Sequence, residues 1–204
     1  MNRIQPVSPT HFFEDMTQGK ILKERIREPL YSRKQFAVDK NQTVNFFRNH
    51  AGGSKLDTNL VVNGSMPSTQ RFALEGFSFR LEFGMDETDI IKFYNHAVLL
   101  FSTQDKRYLC MPLSQIPSGC GLTGPAALDG AASAVKFIEI TNGIPSPTSY
   151  YPVVRRGPKN ALVTIPLAPQ QLFEVDIQTF APSDFSATFN GTVFMHGERN
   201  RESA

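Results

Sequence analysis

A cysteine set among glycines is the feature of this sequence whose chemistry is easiest to name. The stretch IPSGCGLTG, residues 116–124, places Cys120 directly between two glycines. Acyl-transfer enzymes often present a nucleophile in this way, because the small neighbours leave the backbone amides free to bind an oxyanion. The sequence therefore offers two interpretations of Cys120, as a nucleophile or as part of a loop.

The surrounding residues do not favour the nucleophile. Viral chymotrypsin-like cysteine proteases carry Gly-x-Cys-Gly-Gly, and here Ser118 and Leu122 stand where the first and last glycines belong. A triad also needs a base and an orienting acid. With four histidines in 204 residues, such a set is easy to find by chance. The residues that could supply it are His50, His96, Asp57, Asp86 and Asp89. We therefore predict no catalytic residue and no enzyme.

Metal and cofactor chemistry has no sequence signature either. The histidines are isolated, without His-x-His, His-x3-His or Cys-x2-Cys spacing, and a cupin would need the first of these. The glycine-containing stretches at 52–54 and 124–130 match neither a P-loop nor a dinucleotide fingerprint. We predict no metal and no cofactor. The four histidines are His11, His50, His96 and His196.

One aromatic and basic loop could bind a partner. It contains Tyr150, Tyr151, Arg155 and Arg156. Aromatic and basic side chains together can stack on and neutralise nucleic acid. Tyrosine and arginine are also the residues enriched at protein interfaces, which favours a loop packed on a neighbouring subunit. The net charge of +2 gives no global attraction to a polyanion.

Composition indicates one domain in a reducing compartment. A chain of 204 residues is long enough to bury a real core and has no internal repeat. No apolar stretch reaches the roughly 18 residues of a membrane span, and no apolar run follows the first positive charge as in a secretory signal. We therefore expect Cys110 and Cys120 to be reduced thiols.

Residues 1–32 are predicted to form an N-terminal arm. Phe12 and Met16 lie four residues apart, as do Leu22 and Ile26, which is the spacing of two short helical pieces. The arm and the residues just after it carry a mild basic excess. Contact with packaged genome or lipid head groups and a merely solvated or domain-covering role both remain open.

The body, residues 33–204, alternates as β-strands do. In RFALEGFSFRLEFG, one face is Phe77, Phe79, Leu81 and Phe83, while Phe72 and Leu74 have the opposite parity. Gly76 lies where the phase changes, so a β-bulge or kink is predicted there.

One helix and the remaining strands complete the prediction. A helix is expected near residues 86–98, with Asp86 as cap, followed by a hairpin that turns at Thr103–Lys106. Three strands close the chain, in ALVTIPL, QLFEVDIQTF and FSATFNGTVFMHG. About eight antiparallel strands without a strand-helix repeat predict an all-β fold, a single jelly roll. An immunoglobulin-like sandwich is the nearest alternative, but it has no use for the inserted helix.

Three blocks together resemble a known family. They are MPSTQRFALEGFSFRLEF, KRYLCMPLSQIPSGCGLTG and IPLAPQQLFEVDIQTF with the later FNGTVFMHGERNR. Over roughly residues 60–200, their strand order resembles the jelly-roll major capsid proteins of tailless icosahedral viruses, particularly those of bacteria. The resemblance implies a self-assembling coat subunit of a virion, made in the host cytoplasm. Its partners would be copies of itself and other virion proteins, and no catalytic residue is carried over.

Two other functions stay open. A jelly-roll carbohydrate- or receptor-binding module would display aromatic rings over a sugar-sized groove. Tryptophan, the commonest sugar platform, is absent, but Tyr150 and Tyr151 could serve. A cysteine protease that uses Cys120 is the third hypothesis.

Overall fold

The computed structural model describes residues 23–48, 54–82, 85–104, 106–117, 123–127, 137–141, 150–153, 155–156 and 162–202. Over these residues the chain forms strands, one α-helix, α1 (Glu87–His96), and a 3₁₀ turn at Leu113–Gln115. The strands are β1 (Lys23–Ile26), β2 (Leu30–Phe36), β3 (Asn41–Phe46), β4 (Gln70–Leu81), β5 (Ala97–Thr103), β6 (Lys106–Pro112), β7 (Thr123–Ala127), β8 (Phe137–Thr141), β9 (Tyr151–Pro152), β10 (Arg155–Arg156), β11 (Leu162–Val163), β12 (Ile165–Leu167), β13 (Phe173–Phe180) and β14 (Phe189–Glu202).

Two antiparallel sheets make up the body. In the larger, six-stranded sheet, β14 pairs with β4 on one side and with β1 and β2 on the other, and β4 also pairs with β12 and β9. The smaller sheet has the order β3-β13-β5-β6. Two short ladders, β7 with β8 and β10 with β11, stand apart from both. The predicted all-β class with one inserted helix is confirmed.

The core lies between the two sheets and is rich in phenylalanine. Along β13, Phe173, Val175 and Ile177 are buried while the residues between them are half-buried, which is the predicted alternation. β5 repeats the pattern and pairs with both β13 and β6. The hairpin of β5 and β6 therefore forms as the sequence predicts.

Helix α1 is stabilised by its N-terminal cap and by one fully buried aromatic ring. The Asp86 side chain accepts a hydrogen bond from the Thr88 amide, 2.9 Å away, as an N-cap residue does. Phe93 is fully buried, with its ring centroid 5.0 Å from that of Phe36 and 5.1 Å from that of Phe189. The helix is thereby fixed to the core of the sandwich.

Two predicted boundaries are wrong. Lys23–Ile26, placed in a partly helical arm, is strand β1 because it pairs with the end of β14. β2 follows at Leu30–Phe36 and pairs with β14 as well. The last strand begins at Phe189 rather than at Phe185, whose amide instead donates to the Val38 carbonyl, 2.8 Å away. The remaining arm residues, 1–22, lie outside the described residues.

The connections between the long strands gather at two ends of the sandwich. We call one the helix end; it is formed by α1, the turn at 37–40 and residues 180–188. Lys92 donates a hydrogen bond to the Asp184 carbonyl, and the Phe185 amide donates one to the Val38 carbonyl, so these segments are joined. We call the other the hairpin end, formed by residues 54–69, the turn between β5 and β6, and residues 168–172. Leu172 joins these segments through a bridge to Ser65 and a hydrogen bond from Gln104. The eight residues of β13 separate the two ends by about 25 Å.

Phe93→Ala tests whether this ring holds the helix on the sheets. Removing a fully buried phenylalanine leaves a cavity among aromatic rings, so the free energy of unfolding should fall by about 3–5 kcal/mol. Asn95→Ala, at an exposed position of the same helix, should change it by less than about 0.5 kcal/mol. Denaturant unfolding followed by circular dichroism measures both, and equal losses for the two variants would contradict this role of Phe93.

Candidate functional site

The structure describes only part of the proposed catalytic set. Cys120 and His50 lie outside the described residues, so the protease hypothesis stays untested. His11 lies outside them too. Cys110 lies on β6 with its side chain exposed and its thiol free. His96 is the last residue of α1 and is also exposed.

The aspartates considered as orienting acids have structural partners. Asp86 caps α1, and Asp57 accepts hydrogen bonds from the amide and hydroxyl of Ser54. Asp89 is buried, accepts from Ser186 and forms an ion pair with Lys92. Burial opposes its ionisation, but those hydrogen bonds outweigh burial, and the pKa of Asp89 lies below its usual value. Asp86 and Asp89 therefore stabilise the helix end, and Asp57 stabilises its own loop at the hairpin end.

A β-bulge brings several polar side chains together. Between His196 and Gly197, β14 advances by one residue while β4 goes from Gly76 to Leu74, so Glu75 is the extra residue. The bulge predicted from the change of phase at Gly76 is confirmed. It turns Glu75 toward the outer face, beside the side chains that we call the bulge cluster. Its members are Arg27, Glu75, Ser78, Tyr150 and His196.

Gly76 makes room for the aromatic part of this cluster. A Cβ atom on Gly76 would lie 2.3 Å from Cδ2 of Tyr150 and 2.3 Å from the Tyr151 carbonyl oxygen. Without that Cβ, β9 pairs with β4, and the Tyr150 ring stacks on His196 with centroids 4.9 Å apart and planes 14° apart. The predicted aromatic loop is thus joined to the bulge.

Hydrogen bonds fix the polar groups. The Tyr150 hydroxyl donates to Glu75 Oε2 over 2.9 Å, and the Arg27 guanidinium donates to the same oxygen over 3.0 Å. Ser78 Oγ lies 2.8 Å from His196 Nε2. A recess of about 200 Å³ opens beside them, with Pro29 and Gly197 also in its lining.

Burial governs the protonation of the cluster. His196 is half-buried, and the loss of solvation lowers the pKa of its imidazole; nearby Glu75 opposes this effect and Arg27 adds to it. Burial raises the pKa of the Tyr150 hydroxyl, and its hydrogen bond to Glu75 raises the same pKa further. At neutral pH the cluster therefore holds a neutral imidazole and a neutral phenol beside the Arg27–Glu75 ion pair.

The geometry suits binding better than acyl transfer. A serine next to a histidine resembles a nucleophile with its base, but Ser78 is only 1% exposed, so a substrate has no route to its hydroxyl. The described hydrogen bonds of Glu75 go to Tyr150 and Arg27, not to His196, so Glu75 does not orient the imidazole as the acid of a triad does. What faces the recess is a carboxylate, a guanidinium and an aromatic pair.

Three other residues of the predicted aromatic and basic loop lie in short paired strands. Tyr151 lies in β9, and Arg155 and Arg156 form β10, which pairs with β11. Within the described ranges, no three histidine, cysteine or acidic residues are grouped as metal ligands would be. Glu75, Ser78 and Arg27 were not predicted as site residues, although the change of phase at Gly76 marked the position.

The lowered pKa of His196 predicts a loss of stability in mild acid. The unfolded chain takes up this proton near pH 6.5, before the folded chain does. Stability is therefore complete above about pH 6.5 and falls as the pH drops toward the folded pKa. His196→Gln, which stays neutral, should lose less unfolding free energy between about pH 7 and pH 5 than the wild type.

Chemical unfolding across that pH range measures this difference, with His96→Gln as the control at an exposed histidine. Parallel wild-type and His196→Gln profiles would contradict the assignment of the lowered pKa to His196.

A scan against protein-family models and searches of curated proteins and of solved structures find no match for this chain. The function of the molecule must therefore be inferred from its own geometry.

Proposed function

We propose that this chain is a coat subunit with a jelly-roll fold, which assembles with copies of itself into the shell of an icosahedral virus. The proposal brings together the sequence resemblance, the order of the strands and the distribution of exposed apolar side chains. Its partners are other copies of the chain and further virion proteins, and its location is the virion.

The strand order supports the jelly-roll assignment. A jelly roll has eight strands in two sheets, connected as two Greek keys. Apart from β1 and β9, the strands of the two main sheets follow the orders β2-β14-β4-β12 and β3-β13-β5-β6. Along the chain, β2, β3, β4 and β5 alternate between the sheets, and so do β12, β13 and β14. Such crossing between sheets is what two Greek keys require.

The observation that carries the proposal is where the large exposed apolar side chains lie. Among the described residues they occur only at the two ends of the sandwich, with Val61 88% exposed and Leu56 77% exposed. At the hairpin end they are Leu56, Val61, Val62 and Leu172; at the helix end they are Val38, Ile91 and Phe180.

Apolar groups at two separate ends suit assembly into a shell. Contiguous exposed apolar surface marks places where proteins associate, because its burial is favourable. A single patch is enough for a dimer, whereas a closed shell needs each copy to contact several neighbours. Two patches about 25 Å apart let each copy contact two neighbours, which is more than a dimer uses.

No helix in the described ranges is long and apolar enough to cross a bilayer. Contact of the arm with genome or lipid head groups stays a prediction, because residues 1–22 lie outside the described part of the chain.

Val61→Asp tests the apolar contact. We expect the wild-type chain to form oligomers or shells and Val61→Asp to associate about tenfold more weakly or worse, because a carboxylate would be buried at the contact. Thr43→Asp introduces the same charge at an exposed position of β3 and should assemble normally.

Sedimentation velocity measures the assembly, and a circular dichroism melt confirms that each variant folds. A strictly monomeric wild type would contradict the proposal, and so would equal losses in both variants.

A carbohydrate-binding module is the second candidate function, and the bulge cluster is the observation that favours it. A recess of about 200 Å³ is the size of one sugar ring. Glu75 and Arg27 supply an acceptor and a donor at its wall, as neighbouring sugar hydroxyls require, and Tyr150 adds an aromatic surface.

Methyl glycosides of glucose, galactose and mannose test this candidate directly. If the recess binds one of them, its NMR titration should saturate, and Glu75→Gln should weaken binding about tenfold because a charged acceptor is lost. Glu174→Gln, in the smaller sheet, is the matched control. Absence of saturable shifts with all three glycosides would remove the candidate.

A further inference from the structure

The two ends of the sandwich differ in charge. Among the side chains described at the helix end, the exposed carboxylates are Asp39, Asp86 and Asp184, and the exposed lysine is Lys40. Two more carboxylates there form ion pairs, Asp89 with Lys92 and Glu82 with Arg33. The Glu82 pKa is lowered, first by the hydrogen bond from Arg33, so it too is ionised at neutral pH. Acidic groups therefore dominate the helix end.

Basic groups dominate the hairpin end. Lys55, Lys106 and Arg107 are exposed there. Of the carboxylates described near this end, Asp57 faces its own loop, where Oδ2 accepts from the Ser54 amide over 2.9 Å. Glu28, beside Asn59, forms an ion pair with Arg199. Asp105 lies outside the described residues. Among the side chains described at this end, exposed basic residues outnumber acidic ones.

The helix end also has a recess that fits a basic side chain. Its volume is about 280 Å³, and its lining includes Met85, Phe189 and Asp86. Lysine and arginine carry a cationic head on an aliphatic stem, so they bury the stem against apolar groups and keep the head near carboxylates. The recess offers both an apolar wall and a carboxylate.

We propose that copies of this chain associate head to tail, with the basic hairpin end of one copy against the acidic helix end of the next. The inference rests on the proposed self-assembly and specifies its contact. Apolar groups on both ends provide burial, and opposite charge selects which ends meet. Contact between like ends would juxtapose like charges, which costs free energy. A head-to-tail contact is heterologous, so it closes into rings or continues into larger assemblies.

Charge reversal distinguishes the two arrangements. Lys55→Glu with Arg107→Glu makes both ends acidic, and Asp39→Lys with Asp184→Lys makes both ends basic. In the head-to-tail arrangement each double variant alone should self-associate at least about tenfold more weakly than the wild type, because its ends repel. An equimolar mixture of the two should recover association, because every contact between unlike variants is again complementary. The chain with all four reversals should recover it as well.

Sedimentation velocity at low and high salt measures each case, and circular dichroism establishes that the variants fold. Double variants that assemble like the wild type would overturn the head-to-tail arrangement and leave self-assembly standing. A mixture or a fourfold variant that fails to recover, although folded, would overturn it too. A wild-type chain that never associates would instead contradict the proposed function itself.

Discussion

The long antiparallel pairing of β4 with β14 is the interaction on which the rest of the structure depends. It runs from Gly191 opposite Leu81 to Arg201 opposite Gln70. Two glycines in β14 permit it: a Cβ on Gly197 would lie 2.2 Å from the Ala73 carbonyl oxygen, and one on Gly191 would lie 2.6 Å from Cζ of Phe79. Larger residues there would push the strands or the core rings apart.

This pairing joins the core to the bulge cluster. On its inner side, Phe77, Phe79 and Met195 are fully buried and contribute to the aromatic core. On its outer side, Ser78 and His196 meet where the bulge adds Glu75 to β4. Since the bulge shifts the parity of β4, the same irregularity lets Leu74 and Phe77 both face inward. The cluster is therefore a consequence of keeping the core filled on both sides of the bulge.

The sequence predicts which face of a strand a residue occupies more readily than it predicts which strands pair. Alternation along residues 77–81 and 173–177 predicted the buried phenylalanines, because a period of two places alternate residues on one face. The bulge was predictable from the same rule. The partner of β4 was not, because β14 lies more than a hundred residues away and periodicity carries no register.

The features that the sequence did not predict also depend on contacts between distant parts of the chain. Lys23–Ile26 has no apolar alternation and is a strand only through its pairing with β14. Arg27 and Tyr150 reach the bulge from distant parts of the chain, so no local spacing could join them to Glu75. The functional argument likewise depends on three dimensions. Apolar and charged residues scattered along the sequence come together at two ends only because successive strands return there.

Electron microscopy of the purified wild-type chain shows both whether copies assemble and which surfaces they use. We expect rings or closed shells in which the hairpin end of each sandwich meets the helix end of its neighbour. Isolated monomers at high protein concentration, or assemblies whose contacts run through the outer faces of the sheets, would contradict it.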